Sequence, residues 1–159
     1  ERQQTMAGLA RSRLVYTPQF LRNGRDWRSG ASPLDGVGDA RPGARIALQL
    51  GATGAAGLAV GGEIVMARPG LDAWLAVYEN NLESEVRAGE NSGKTLRHDY
   101  VVRRLLGPLA AGADGRLTLR QEIALEPGWK RADLGVAAFV QDKATGEIVQ
   151  ALQRHVCPG

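Results

Sequence analysis

The chain has 159 residues, a net charge of +3 and a pI near 9.4, with 43% hydrophobic and 23% charged residues. These values describe one ordinary globular domain, or one domain with an appendage, and exclude a disordered chain. Cys157 is the sole cysteine, which excludes an internal disulfide, a CxxC redox pair and a Cys-rich zinc site.

Twenty-one glycines favour tight turns over long helices, and the 5% aromatic content leaves the core to aliphatic side chains. Of the 20 basic residues, all but Lys94, Lys130 and Lys143 are arginine. The positive charge lies at the front, where residues 1–45 carry eight Arg against four acids. Nucleic-acid recognition needs a basic stripe interleaved with stacking aromatics, and Trp27 with its Arg neighbours does not make one. No apolar run reaches the roughly 18 residues needed to span a membrane as a helix. The first residue is Glu1 rather than Met, so further sequence upstream is expected.

Residues 1–13 contain good helix formers and no proline, with Met6 and Leu9 at helical spacing, and predict a short helix. Residues 14–16 read as a strand entering a Thr17-Pro18 step, where a trans turn is the default and the surrounding order of helix, strand, Thr-Pro, strand, Asn-Gly and strand raises the cis form. Residues 19–22 and 25–28 read as two short strands. Asn23-Gly24 between them predicts a type I′ hairpin, because that turn requires positive φ at both central positions. Residues 29–43 hold four Gly and two Pro and predict a linker, so a boundary is placed there.

Strand-like runs then alternate with turn signals: 44–50, 56–60, 63–67, 73–79, 83–88, 96–105, 116–125, 134–141 and 147–153. In 116–125, Leu117, Leu119, Ile123 and Leu125 share one face and Thr118, Arg120 and Glu122 the other. In 73–79, Trp74, Ala76 and Tyr78 oppose Leu75 and Val77, so this strand is expected to be buried on both sides. Gly146 closes a short turn before the last run. So many short strands with frequent turns predict a β-sandwich. The rival for residues 100–106 is a helical turn packed on the sheet, since Val101, Leu105 and Val102, Leu106 also suit helical spacing.

The chemistry-bearing motifs read mostly as structure. The run GENSGKT at 89–95 lacks the first glycine of a phosphate-binding loop, since Ala88 stands there, and the strand before it is charged. It reads as a polar inter-strand loop. His155 and Cys157 make only two ligands at a chain end, and His98 and Asp99 point to opposite faces if they lie on one strand. Glu83 and Glu85 suit the solvated face of an edge strand, where charge discourages pairing between copies. A glycan-processing reading would need Trp74 or Trp129 in a cleft with Glu85 or Glu90. No metal site, cofactor site or catalytic set is predicted.

VYTPQFLRNGR, with Arg2-Gln3 in the helix before it, resembles a family of secreted or periplasmic bacterial proteins classed as domain of unknown function 1223. AGENSGKTLRHDYVVRRL (88–105) and VAAFVQDKATGEIVQAL (136–152) carry the resemblance onward. It implies a thioredoxin-like half with a Cys pair near its start, followed by a β-rich half. Residues 1–30 would be the last helix, cis-Pro loop and hairpin of the thioredoxin-like part, 31–43 a linker, and 44–156 the sandwich.

The resemblance makes Tyr16, Thr17, Pro18, Gln19, Glu90 and Asn91 the candidate binding residues. Thr17 and Pro18 match the position that lines the peptide groove against the reactive cysteines. Those cysteines are absent here, so this chain lacks the thiolate and resolving thiol that dithiol exchange requires. Two functional expectations stand: a non-enzymatic periplasmic or secreted interaction or scaffold module, or the distal part of a thiol–disulfide oxidoreductase whose Cys pair lies upstream. A protein or peptide is the expected partner, with no nucleic acid and no membrane-spanning helix. The oligomeric state is not legible.

Overall fold

The computed structural model describes residues 2–9, 19–27, 42–54 and 56–157. Helix α1 (Arg2–Leu9) and a two-stranded hairpin, β1 (Leu21–Arg22) and β2 (Arg25–Asp26), come first. Strands β3 (Ala44–Ala52), β4 (Gly57–Met66), β5 (Leu71–Glu79), β6 (Leu82–Glu85) and β7 (Thr95–His98) follow. The chain continues with β8 (Val101–Leu109), β9 (Arg116–Ala124), a 3-10 turn at Arg131–Asp133, β10 (Leu134–Asp142) and β11 (Ile148–His155). The protein is mainly β, as its turn spacing predicts.

Two antiparallel sheets form the body. One has the order β3-β4-β9 and the other β11-β10-β5-β8, while β6 and β7 make a separate hairpin. Side-chain parity explains how the two sheets share a core. Leu58, Val60, Ile64 and Met66 of β4 face Leu71, Ala73, Leu75 and Val77 of β5, together with Val136, Ala138 and Val140 of β10, in one buried cluster. Each of these branched side chains contributes roughly 1.5–3 kcal/mol when taken out of water. The sheets approach at one corner, where Gly43 donates its N–H to the Val149 carbonyl at 3.2 Å.

The face of β9 is the expected one: Leu119 and Ile123 are buried, while Thr118, Arg120 and Glu122 are exposed. The second half of β5 is buried on both sides, with Leu75 and Val77 inward and Ala76 and Tyr78 on the other face. The Asn23-Gly24 turn has φ of +49° and +80°, as a type I′ hairpin requires.

Three boundaries differ from the expectations. The runs expected at 56–60 and 63–67 form one strand, Gly57–Met66, rather than two, because Gly61-Gly62 continues the ladder instead of breaking it. Gly62 has φ +144°, and a Cβ there would fall on the Ala47 carbonyl, so Gly62 marks close backbone approach between strands. The single run expected at 96–105 divides into β7 and β8 at Asp99-Tyr100, where Tyr100 has φ +57°. Residues 101–109 are a strand, so the helical alternative for 100–106 is wrong: the β5 edge captures this segment into the sheet. The Thr17-Pro18 bond, cis by the family resemblance, lies outside the described residues, and the cis bond within them is Gly107-Pro108. The linker at 29–43 falls outside them except for Pro42 and Gly43.

Candidate functional site

The sheet β11-β10-β5-β8 turns one face to the core and the other outward, and four aromatic residues, Trp74, Tyr78, Tyr100 and Phe139, gather on the outer face. Trp74 of β5 and Phe139 of β10 are cross-strand partners and stack with ring centroids 6.3 Å apart at 8°. Beyond them Tyr78 lies flat over Gly135, its partner on β10, where any Cβ would collide with the ring. Tyr100 sits 5.3 Å from Tyr78, and His155 meets the same ring edge-on at 6.1 Å. The Tyr78 hydroxyl lies 3.3 Å from Gln153 Oε1. Burial, with the neighbouring Tyr100 second, raises the Tyr78 pKa above the ordinary phenol value. Tyr100, just before β8, and Val102 remain 58% and 54% exposed, and Leu105 shares the strand and face of Val102. This half of the face is open and apolar.

The other half is covered. Helix α1 inserts Met6 and Ala7, both buried, over the end of β10. Gln141, on the outer side of β10, is itself buried and donates Nε2 to the Gly146 carbonyl at 2.7 Å, with the Met6 sulfur 3.3 Å away. The hairpin docks next to the helix. Ile148 donates its N–H to the Asn23 carbonyl at 2.9 Å, and Arg25 pairs with Glu147 at 2.9 Å. Gly24 lies against the Gly146 carbonyl so closely that no side chain fits between the two turns.

The turn receiving these contacts is rigid for a local reason. The Asp142 carboxylate accepts the N–H groups of Ala144 and Thr145 at 2.8 and 2.9 Å and pairs with Arg68. That guanidinium first, then the Thr145 N–H, pulls the Asp142 pKa down to about 2.

A second polar node closes the opposite end of β5. Glu79 is wholly buried, and its carboxylate accepts Arg103 Nε at 2.7 Å and the Lys130 N–H at 2.9 Å. Asn80 accepts the Tyr100 N–H, and Asn81 reaches both Asp99 and Asp133. The node ties the β5–β6 and β7–β8 connections to the segment before β10. Both Glu79 oxygens are engaged by structural donors, which leaves no free carboxylate for acid–base work.

The residues singled out from the sequence fall on separate elements. Tyr16, Thr17 and Pro18 lie outside the described residues. Gln19 precedes β1 and donates to Asp26 Oδ1 at 3.3 Å. Glu90 and Asn91 sit at the exposed tip of the β6–β7 hairpin, where Lys94 Nζ donates to Asn91 Oδ1 at 3.0 Å. The run 89–95 is therefore a hairpin loop leading into a strand, not a phosphate loop opening a helix. Glu83 pairs with Arg97 on the wet side of that hairpin, and His98 bonds Ser84 across it at 2.8 Å.

Trp74 is stacked on Phe139, and Arg104 lies 5.6 Å over the Trp129 ring, so neither tryptophan lines a cleft with Glu85 or Glu90. Among the described residues no three His, Cys, Asp or Glu side chains gather as metal ligands. No described helix is long and apolar enough to cross a membrane. Gln141 and Gly135 are the positions sequence reading missed. The one available signal was a polar or glycine residue inside an otherwise apolar strand.

No curated protein matches the chain. Among solved structures it is similar to HBP35 of Porphyromonas gingivalis, with 23% identity and a TM-score of 0.67 over 96% of this chain. That likeness concerns the fold, and this chain spans only 57% of the HBP35 chain. A domain of the outer membrane lipoprotein Omp28 from the same organism matches at 15% identity and TM-score 0.49, over 72% of this chain and 88% of that one. The family described as "Protein of unknown function (DUF1223)" matches residues 1–141, and the chain belongs to that family.

Proposed function

We propose that this chain is an extracytoplasmic, non-enzymatic scaffold and interaction module. In this reading 1–30 is the N-terminal unit, 31–43 a linker and 44–156 the sandwich, and the described parts of that unit, Arg2–Leu9 and residues 19–27, dock at the outer face of the larger sheet. The observation that carries the reading is the docking at the β10–β11 turn. Gln141, Gly146, Glu147 and Ile148 meet Met6, Gly24, Arg25 and Asn23 with hydrogen bonds, an ion pair and buried apolar contact. An eight-residue helix is too short to persist alone in water, so its order depends on this surface. The open half of the same face, Tyr100, Val102 and Leu105, continues the docked half and suits a protein or peptide partner. The extracytoplasmic setting rests on the family resemblance.

The test is insulin-disulfide reduction by the purified chain with dithiothreitol as electron source. The module reading predicts no acceleration over dithiothreitol alone; turnover catalysed by this chain would overturn it. A second reading, the distal part of a thiol–disulfide oxidoreductase, is favoured by the order of helix, Thr17-Pro18 and Asn-Gly hairpin. It requires that protein purified from its host, reduced and alkylated, carry thiols beyond Cys157 and turn over insulin.

A further inference from the structure

We propose that the open end of the sandwich binds a medium-chain fatty carboxylate. The acyl chain would lie on Leu48, Leu50 and Val156, and the carboxylate would be met by Arg154 and Arg131. A cavity of about 350 Å³ lies there between β3 and the end of β11. That size falls within the range typical of small-molecule sites, roughly 300–1,000 Å³. Its floor is the exposed margin of the core: Leu48 and Val156 are buried, and Leu50 packs beside them.

The charge in its wall is of one sign. Arg154 pairs with Val136 across the ladder and so has the core-facing parity of β11, but at the open end of the sandwich it is exposed to solvent. Among the described residues neither Arg154 nor Arg131 has a carboxylate partner, and no cavity-lining residue is acidic. Arg131 is held in place, because Nη1 donates to the Gly57 carbonyl at 3.0 Å. That bond leaves most of its donor fork unspent. An inward charge on an edge strand also deters strand pairing, which would account for Arg154 alone. It does not account for a second cation, from the 3-10 turn, lining the same cavity. Two cations above an apolar floor match one ligand chemistry: an anionic head on a hydrocarbon tail. The His155 ring turns away from the cavity toward Tyr78, and the Cys157 thiol stands in its wall.

Calorimetric titration with hexanoate, octanoate, decanoate and 1-decanol, all below their aggregation limits, tests the proposal. Saturable one-to-one binding is expected, tightening about tenfold for each added pair of methylenes. Arg154→Gln should weaken decanoate at least tenfold, leave 1-decanol unchanged and, being at an exposed position, leave the melting temperature unchanged. Because Cys157 is the sole thiol, maleimide labelling reports on this cavity alone, and saturating decanoate should slow it. The proposal is overturned if no carboxylate binds saturably, or if 1-decanol binds as tightly as decanoate. It is equally overturned if Arg154→Gln binds decanoate like the wild type, or if bound decanoate leaves Cys157 labelling unchanged.

Discussion

The buried amide of Gln141 meets Met6 and the Gly146 carbonyl together, its Nε2 3.3 Å from the thioether sulfur and 2.7 Å from the oxygen. One side chain of β10 thereby joins the N-terminal helix to the turn beneath it. Gln141→Leu keeps the volume but leaves the Gly146 carbonyl without this donor. The expected loss is about 1–2 kcal/mol, read as a lower urea midpoint at unchanged slope. An unchanged midpoint would show that the amide contributes nothing to the docking.

Asp142 supports the same turn and makes its stability depend on pH. Its pKa falls from 3.8 to about 2 on folding, so the folded state favours the charged form. The associated stability is fully present above pH 4 and is lost as pH falls through 2. At neutral pH it amounts to about 2 kcal/mol. Asp142→Asn should cost about that much at pH 7 and little at pH 2, in urea unfolding at the two pH values. Equal costs at both would refute the assignment.

Glu79 and Arg97 offer a contrast between buried and exposed ion pairs. Glu79→Ala strips Arg103, itself 31% exposed, of a wholly buried partner and frees the Lys130 N–H. It is expected to cost about 3 kcal/mol. Arg97→Ala breaks a pair whose members are 84% and 56% exposed, and should cost under about 1 kcal/mol. Denaturant unfolding of the two variants ranks them directly.

Gly135 and Tyr78 are coupled by contact. Gly135→Ala drives a methyl group into the Tyr78 ring and should destabilise the fold by about 2 kcal/mol. In a Tyr78→Leu background the same change should cost much less, since the collision partner is gone. Additive effects in this double-mutant cycle would contradict the geometry. The raised Tyr78 pKa adds a spectroscopic check. The neutral phenol is favoured by folding, so stability should fall as pH rises above 10, and Tyr78→Phe should remove that part of the alkaline loss.

The local half of this structure could be read from the sequence. Asn23-Gly24 named its own turn, and Leu117, Leu119 and Ile123 announced their face by strict alternation. The even-numbered residues Leu58, Val60, Ile64 and Met66 keep one parity through Gly61-Gly62. A continuous strand was therefore legible there, although the glycine pair suggested a break. Partnership was not legible. Strand β5 lies between β10 and β8, neither adjacent in sequence, and nothing near Gln141 signals that residue 6 will lie against it. The division at Tyr100 was equally hidden: at its positive φ the Tyr100 N–H donates to Asn80 Oδ1, and the Asn81 N–H donates to Asp99, partners some 20 residues apart. Of the candidate site residues, only Gln19, Glu90 and Asn91 fall within the described residues, and they occupy two different hairpins.

Hydrogen exchange of the amides in α1, followed by NMR or mass spectrometry, tests the scaffold reading most directly. An eight-residue helix has almost no protection of its own. Docking on the sandwich predicts α1 amides exchanging well below the free-peptide rate in the wild type, and near that rate in a Gln141→Ala, Glu147→Ala double variant whose β5 and β10 amides stay protected. Free-peptide exchange of α1 in the wild-type protein would contradict the account.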